Sequence, residues 1–403
     1  MKILQLTNKV PLPPRDGGSI ASLRLSQGLT MLSHSVTILA MNTKKHFIAP
    51  DFMHALAKKQ SIEIIAVPVD ARIRLIDALM NYLFSRQAYT AKRFLSDSYN
   101  QKLKELLQKL DFDLIIVENL YPMIYLKTIG ENSRGRVIMR AHNIENEIWH
   151  RTAQQARGVK KIYLLNLAKR IKKLETKLIN QYDFLAPITR RDEDVFIMMG
   201  NKKPSMVLPT GMEIDESPPV INHTKTFSVA HLGALDWSPN QEGIIWFLSN
   251  VWPLLRKKYP NAEFHLAGRN APAWFTRKIN VPGLVFHGEV DSANDFITHF
   301  PIHIVPLWSG SGMRIKIIEA MAKGRIIVTT PIGIEGIEAV NNETVMIRET
   351  AESFASALTD LHANPDKMKE MSKNAYTFVK THFDNKKLVE DFLVFINDHT
   401  NNI

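Results

Sequence analysis

The sequence contains no cysteine. Disulfides, thiolate nucleophiles and Cys-ligated zinc or iron–sulfur centres are excluded with it. Nowhere does an uninterrupted apolar run approach the roughly 18 residues of a membrane-spanning helix. The opening stretch MKILQLTNKVPLPPRDGG has an apolar run of a few residues, broken at Asn8 and Lys9. That suits a first β-strand and not a secretory signal, so a cytoplasmic protein is expected. The loop after this strand lacks G-x-G-x-x-G spacing, which argues against a nicotinamide dehydrogenase. No repeat of interleaved aromatic and basic residues offers a base-stacking platform, so nucleic acid is not an expected partner.

What is present is a foldable chain of 403 residues, 45% of them apolar. That length suits two domains of about 150–200 residues. The charge is uneven. Residues 1–205 hold 33 Lys+Arg against 18 Asp+Glu, a net of +15, and the remainder carries a net of −4. The basic half suits an anionic membrane surface or an anionic small molecule, or serves solubility alone.

Short apolar runs alternate with helical stretches. Ile3–Thr7, Val36–Ala40, Glu63–Val67, Leu114–Glu118 and Arg136–Met139 read as strands, with helices over about Ile20–Leu32 and Ser96–Leu110. A second series has strands at Phe227–Ala230, Glu263–Ala267, Val285–His287, Ile302–Pro306 and Ile326–Thr329, with a helix near Asn240–Lys257. This alternation predicts α/β domains with parallel, doubly wound sheets. The boundary is placed near residue 205, giving domains 1–205 and 206–384, with a final amphipathic helix within 385–403 returning to the first. Val159–Ile179 reads as a long helix whose seven Lys and Arg face a single acid, Glu175. It is either a solvated helix packed on its leucines or a surface facing a membrane or acceptor.

One segment carries most chemical information, PLWSGSGMRIKIIEAMAKGRIIVTTPIG, residues 306–333. A strand ends at Pro306 and a Gly/Ser loop feeds a helix, so backbone N–H groups near Gly312, Met313 and Arg314 form an anion cradle. A helix drawn from Met313 puts Ile315, Ile317, Ile318, Met321 and Ala322 on one arc and Lys316, Glu319 and Lys323 on the other. Arg314 in the first turn opposes the helix dipole unless an anion neutralises it. Glu319 either serves a ligand or pairs with Lys316 or Lys323.

Several pieces, in order, resemble retaining GT-B glycosyltransferases of the sucrose- and glycogen-synthase-like group. PPRDGGS resembles the Gly-rich loop near the donor diphosphate, with Gly17 and Gly18 in place. RAHNIENEIW resembles the segment whose histidine lies by the donor sugar, here His142. LPTGMEID resembles the interdomain linker, HLGALDWSPNQEGIIWF the entry to the donor domain, and HLAGR the strand closed by Gly268 and followed by Arg269. The family signature holds two glutamates with seven residues between them. Glu319 matches the second, which implies a contact with the ribose, whereas Ser311 stands where the first would be. A G-x-R-x-K-x-x-E-A pattern in a subset of bacterial envelope-sugar transferases resembles the segment from Gly312 onward.

The resemblance implies two Rossmann-like domains facing across a cleft and a metal-independent, retaining transfer of a hexose-type sugar. Donor and acceptor would be a nucleotide sugar and a glycan or lipid-linked glycan, in polysaccharide or envelope biosynthesis at the inner membrane face. His142, Arg314, Lys316 and Glu319 are the expected catalytic residues. Gly17, Gly18, Ser19, Gly233, Arg269, Ser311, Gly312 and Met313 are the expected donor contacts, and Glu145 and Glu147 lie on the acceptor side. No cofactor or metal is expected. A sugar-nucleotide 2-epimerase and a non-catalytic nucleotide-sugar-binding protein remain the alternative readings.

Overall fold

A computed structural model describes residues 1–14, 16–216, 220–221, 226–310 and 312–400. The chain divides into two compact units, Met1–Gly211 with Asn385–Ile403, and Met212–Asp384. In the first, strands β1 (Lys2–Thr7), β2 (Ser35–Thr43), β3 (Glu63–Val69), β4 (Leu114–Glu118), β5 (Arg136–Ala141) and β6 (Phe184–Pro187) form one parallel sheet in the order β3-β2-β1-β4-β5-β6. In the second, β7 (Ser228–Leu232), β8 (Glu263–Ala267), β9 (Leu284–Gly288), β10 (Ile302–Val305), β11 (Ile326–Thr329) and β12 (Met346–Ile347) are ordered β12-β11-β10-β7-β8-β9. Counted within its own unit, this is the same doubly wound order. Each sheet reverses direction of travel once, between β1 and β4 and between β7 and β10. Ligands of such sheets bind beyond the carboxyl ends of the strands at that reversal.

Helices cover both faces, so central strands are apolar without alternation. β4, β10 and β11 are buried along their whole length. In β1, Leu4 and Leu6 join one core layer and Ile3 the other. Gln5 lies within this strand, fully buried, and its polar head is used at the site below.

Several elements differ from the sequence reading, two of them for a local reason. The first helix spans Gly17–Met31 and not Ile20–Leu32, because Asp16 caps it: the Asp16 carboxylate accepts the Ser19 amide at 3.0 Å and the Ser19 hydroxyl accepts the Asp16 amide. The expected helix over Asn240–Lys257 is a Ser238–Trp246 helix, a π turn over Phe247–Val251 and a Trp252–Lys258 helix. Pro253 cannot donate the amide that a regular turn needs there. The four-residue β6, which ends in a proline, is absent from the sequence reading. The long basic helix is present as Gly158–Leu178.

The last helix, Asn385–Thr400, packs Val389, Phe392, Leu393 and Ile396 into the N-terminal unit's core, and the Asn385 side-chain amide donates to the Arg24 carbonyl at 2.8 Å. Val389 lies where a Cβ on Gly28 would stand, so that glycine lets the two helices approach closely. Phe392 is 1% exposed. Phe392→Ala should therefore cost about 3–5 kcal/mol. Calorimetry should show the loss as a lowered transition of the N-terminal unit.

Candidate functional site

Polar groups gather at the reversal point of each sheet. In the N-terminal unit the centre is Glu118, the last residue of β4, almost wholly buried. Its carboxylate accepts from Gln5 Nε2 of β1 at 2.5 Å, from Arg140 of β5 at 3.5 Å and from His142 Nε2. Burial by itself would raise the Glu118 pKa, but Arg140 and His142 hold it down to about 2. Burial pushes His142 below its usual range, against the pull of Glu118. His142 is thus a neutral imidazole with Nε2–H donating to the carboxylate, which leaves Nδ1 as an acceptor. That Nδ1 is buried and has no hydrogen-bond partner among the described residues. It lies beside Gly18, where an added Cβ would stand 3.5 Å from it and 3.5 Å from Lys9 Nζ.

Lys9 and Asp16 form the other wall, with Nζ 2.5 Å from a carboxylate oxygen. Burial works to raise the Asp16 pKa, yet Lys9 and Ser19 bring it to about 2. The cap occupies the Ser19 amide and hydroxyl, so the first-turn amides it does not use are those of Gly17 and Gly18. Glu145 and Glu147 sit in the first turn of the Glu145–Gln155 helix. Glu145 is buried and accepts from the Tyr121 hydroxyl at 2.8 Å; Glu147 pairs with Arg191 at 2.5 Å and Arg151 at 3.7 Å. Their carboxylates are engaged within the fold rather than gathered with His142. The Glu175 carboxylate accepts the Glu145 and Asn146 amides.

In the C-terminal unit, the helix of the Gly/Ser segment begins at Ile315, two residues later than the sequence reading, and runs to Ala322. Gly310 and Gly312 have φ of +104° and +82°, a backbone only glycine adopts freely, and this winds the loop before Arg314 lets the helix start. Ser311, the expected donor contact between them, lies outside the described residues. Gly312 and Met313 are half-buried, and Arg314, the N-cap residue, is buried. The Arg314 guanidinium donates to the Gly312 carbonyl and lies 5.4 Å from the Trp237 ring centre.

Lys316 points to the end of β7. Its Nζ donates to Asn240 Oδ1 at 2.9 Å and lies 3.3 Å from His231 Nε2. His231 Nδ1 is 2.8 Å from the Ile304 carbonyl, which fixes the proton on Nδ1 and leaves Nε2 to accept from lysine. Burial, reinforced by Arg314, pushes Lys316 down to about 7. Burial and then Lys316 lower His231 well below its usual range. A Cβ on Gly233 would meet Asn240 at 2.8 Å, Lys316 at 3.1 Å and His231 at 3.2 Å, so this glycine makes room for the cluster. The Arg269 carbonyl accepts the Leu235 amide at 2.9 Å and holds the neighbouring loop. Glu319 is half-buried one turn on from Lys316. Of the two lysines near it on the helix, Lys316 reaches Asn240 at 2.9 Å and Lys323 pairs with Asp215 at 2.8 Å.

The structure thus adds Gln5, Lys9, Asp16, Glu118 and Arg140 on one side, and His231, Asn240 and Trp237 on the other. Asp16, Arg140, His231, Trp237 and Asn240 lie inside segments that carry the resemblance, whereas nothing in the sequence distinguishes Gln5, Lys9 and Glu118. Apart from Lys9 and Asp16, which are 7 positions apart, they become partners through strand order. A groove of about 390 Å³ near β8 and β9, lined by His265, His287, Phe296 and Phe300 among others, shares no lining residue with either cluster.

Comparison with known proteins follows this geometry. Residues 226–364 match the family model described as Glycosyl transferases group 1. A Klebsiella pneumoniae protein described as an uncharacterized 44.6 kDa protein in cps region is 23% identical over 406 residues, covering 96% of this chain and 97% of its own. Among solved structures, Anabaena HepE in complex with UDP aligns with a TM-score of 0.69 at 12% identity, over 99% of this chain and 100% of that one. Sucrose-phosphate synthase from Thermosynechococcus elongatus aligns with a TM-score of 0.71 at 14% identity, over 100% of both chains. These likenesses establish a shared two-domain fold.

Glu118 tests the N-terminal cluster. Glu118→Gln strips the buried Arg140 guanidinium of its counter-charge and should cost about 3–5 kcal/mol in thermal denaturation. Because the folded pKa of Glu118 is depressed, its contribution is complete above the usual glutamate range. It should be lost as pH falls toward about 2, giving an acid limb of instability that the Gln variant lacks.

Proposed function

For a GT-B glycosyltransferase whose residues 226–364 form a glycosyl transferases group 1 domain, we propose retaining transfer of a hexose-type sugar from a nucleotide donor to a glycan or lipid-linked glycan, without a metal. The observation that carries this reading is the Arg314–Lys316–His231–Asn240 cluster at the β7/β10 reversal. The described partners of Lys316, Asn240 and His231, are neutral, and Arg314 lies close enough to lower its pKa. Two cations so placed suit a diphosphate. As the bond from C1 of the sugar to the β-phosphate oxygen breaks, charge grows on that oxygen, and fixed donors stabilise it more than the ground state. The acceptor oxygen bonds to C1 on the face the phosphate leaves, and its proton passes to the departing phosphate.

Arg314, Lys316 and the Gly312–Arg314 backbone, with Gly233 and Arg269 nearby, are assigned to the diphosphate, and Glu319 to the ribose. Gly17 and Gly18, with Ser19 held by the Asp16 cap, are assigned to the donor from the N-terminal unit. His142 orients the sugar through Nδ1, which can accept from a hydroxyl while Glu118 fixes the ring. Glu145 and Glu147 act by shaping the loop on the acceptor side. The UDP complex of HepE makes a uridine nucleotide the first donor to test. A cytoplasmic enzyme attending an acceptor at the inner membrane face agrees with the net charge of +15 over residues 1–205, and the cps-region relative supports envelope polysaccharide synthesis.

Calorimetric titration with UDP and UDP-sugars tests the donor site. Arg314→Ala, Lys316→Met and Glu319→Ala should each weaken binding, the two cation variants by roughly 10–100-fold. Unchanged affinity in all three would overturn the assignment. The pH dependence has a definite sign. With Lys316 at about 7, the free protein at pH 8 holds it mostly neutral, and a bound diphosphate favours the cation. Binding at pH 8 should therefore take up close to one proton, read from buffers of different ionisation enthalpy, and affinity should fall as pH rises above about 7. Lys316→Met should abolish the uptake.

A further inference from the structure

The N-terminal unit leaves an apolar stripe uncovered. Along the Leu75–Phe84 helix, Leu75, Ile76, Leu79, Met80, Leu83 and Phe84 recur at helical spacing, and each is between 52% and 84% exposed. The opposite face, Ala78 and Asn81, is buried. Single exposed apolar residues are ordinary, but six on one short helix form a contiguous patch of the kind that marks an interaction site. The first turn of the Gly158–Leu178 helix adds Val159 at 83% and Ile162 at 62% exposure. The two helices are joined. The Arg170 guanidinium donates to the Asn81 carbonyl at 3.1 Å and the Tyr82 carbonyl at 2.8 Å, and the Tyr82 and Tyr163 rings lie 5.8 Å apart. The stripe and the basic helix therefore belong to one surface.

Its charge is mostly positive. Lys160 and Lys161 sit among these apolar residues, exposed, with Arg157 and Arg86 at the ends of the two helices. The one acid of the basic helix, Glu175, is buried and engaged by the Glu145 and Asn146 amides. At the stripe itself, Asp77 lies 4.0 Å from Arg74, which also holds Asp70 at 2.8 Å.

We propose that this surface docks on a lipid bilayer with anionic headgroups. The Leu75–Phe84 stripe enters the acyl boundary, and Lys160, Lys161, Arg157 and Arg86 meet the headgroups. A ten-residue helix is about 15 Å long, half the thickness of a bilayer core, so it lies along the interface instead of crossing it. None of the helices among the described residues is long and apolar enough to span. A second copy of the chain fits this surface less well. Pairing two such patches face to face sets like charges against one another, whereas anionic headgroups neutralise them. The inference deepens the membrane-side part of the proposed function and does not depend on the donor assignment.

The absence of cysteine makes the test direct, since Leu79→Cys in the full chain takes a single environment-sensitive fluorophore. On phosphatidylcholine vesicles containing phosphatidylglycerol, its emission should brighten and shift to the blue; on phosphatidylcholine alone it should change little. Lys160→Glu with Lys161→Glu should weaken binding about tenfold or more. Leu79→Ser with Leu83→Ser should abolish it even at low salt. Thermal shift by UDP should be retained in these variants, which separates failure here from failure of the donor site. No spectral change on anionic vesicles would overturn the proposal. So would a wild-type dimer in sedimentation that Leu79→Ser with Leu83→Ser turns into monomer.

Discussion

A charge taken out of water must be compensated, and the two units meet that demand differently. In the N-terminal unit the compensation is internal. Glu118, Arg140 and His142 come from adjacent strands β4 and β5 and the turn after β5, and Gln5 of β1 completes the set. The carboxylate is ionised because a guanidinium stands beside it, and the guanidinium is tolerated for the same reason. In the C-terminal unit, Lys316 is held by neutral partners and sits near Arg314. Desolvation is expressed there as a lowered ammonium pKa rather than as an ion pair. The first arrangement balances its charges internally and leaves one open acceptor, His142 Nδ1; the second favours an anion.

Both arrangements depend on parallel strands. A parallel sheet puts the carboxyl ends of its strands on one edge, and a doubly wound order opens that edge where the helices part to opposite faces. Gln5 and Glu118 meet because β1 and β4 are neighbours, 113 positions apart in sequence. Lys316 reaches His231 and Asn240, 85 and 76 positions away, because β10 lies beside β7. The glycines there serve contact more than turning: Gly233 and Gly18 leave the space in which side chains from three elements converge.

The N-terminal unit departs most clearly from the rule that apolar faces are buried at one short helix among its described residues. The Leu75–Phe84 helix buries Ala78 and Asn81 and turns its larger residues outward. Its hydrophobic period is sound, and only the direction of the face is unexpected. The period alone could not give that direction, because it is the same for a helix that faces a core and one that faces a lipid surface.

The sequence by itself determined the class of fold. Uninterrupted apolar runs such as LIIVE and IHIVP alternating with helical periods require parallel strands covered on both faces, and they are legible because burial on both faces leaves no room for polar alternation. Arg314 stood out by its place in the first turn of a helix, and His142, Lys316 and Glu319 as candidates through the resemblance of their segments to a known family. Boundaries set by caps and by Pro253 were less legible, because they turn on single hydrogen bonds. Only the tertiary structure decided which residues act together. Glu118 and Lys9 carry no local mark, His231 and Asn240 only that of a segment resembling a domain entry, and their roles come from packing and from loss of water, neither of which is written in any one segment. The outward face of Leu75–Phe84 is of the same kind, for what a helix covers depends on the neighbours that the whole chain brings to it.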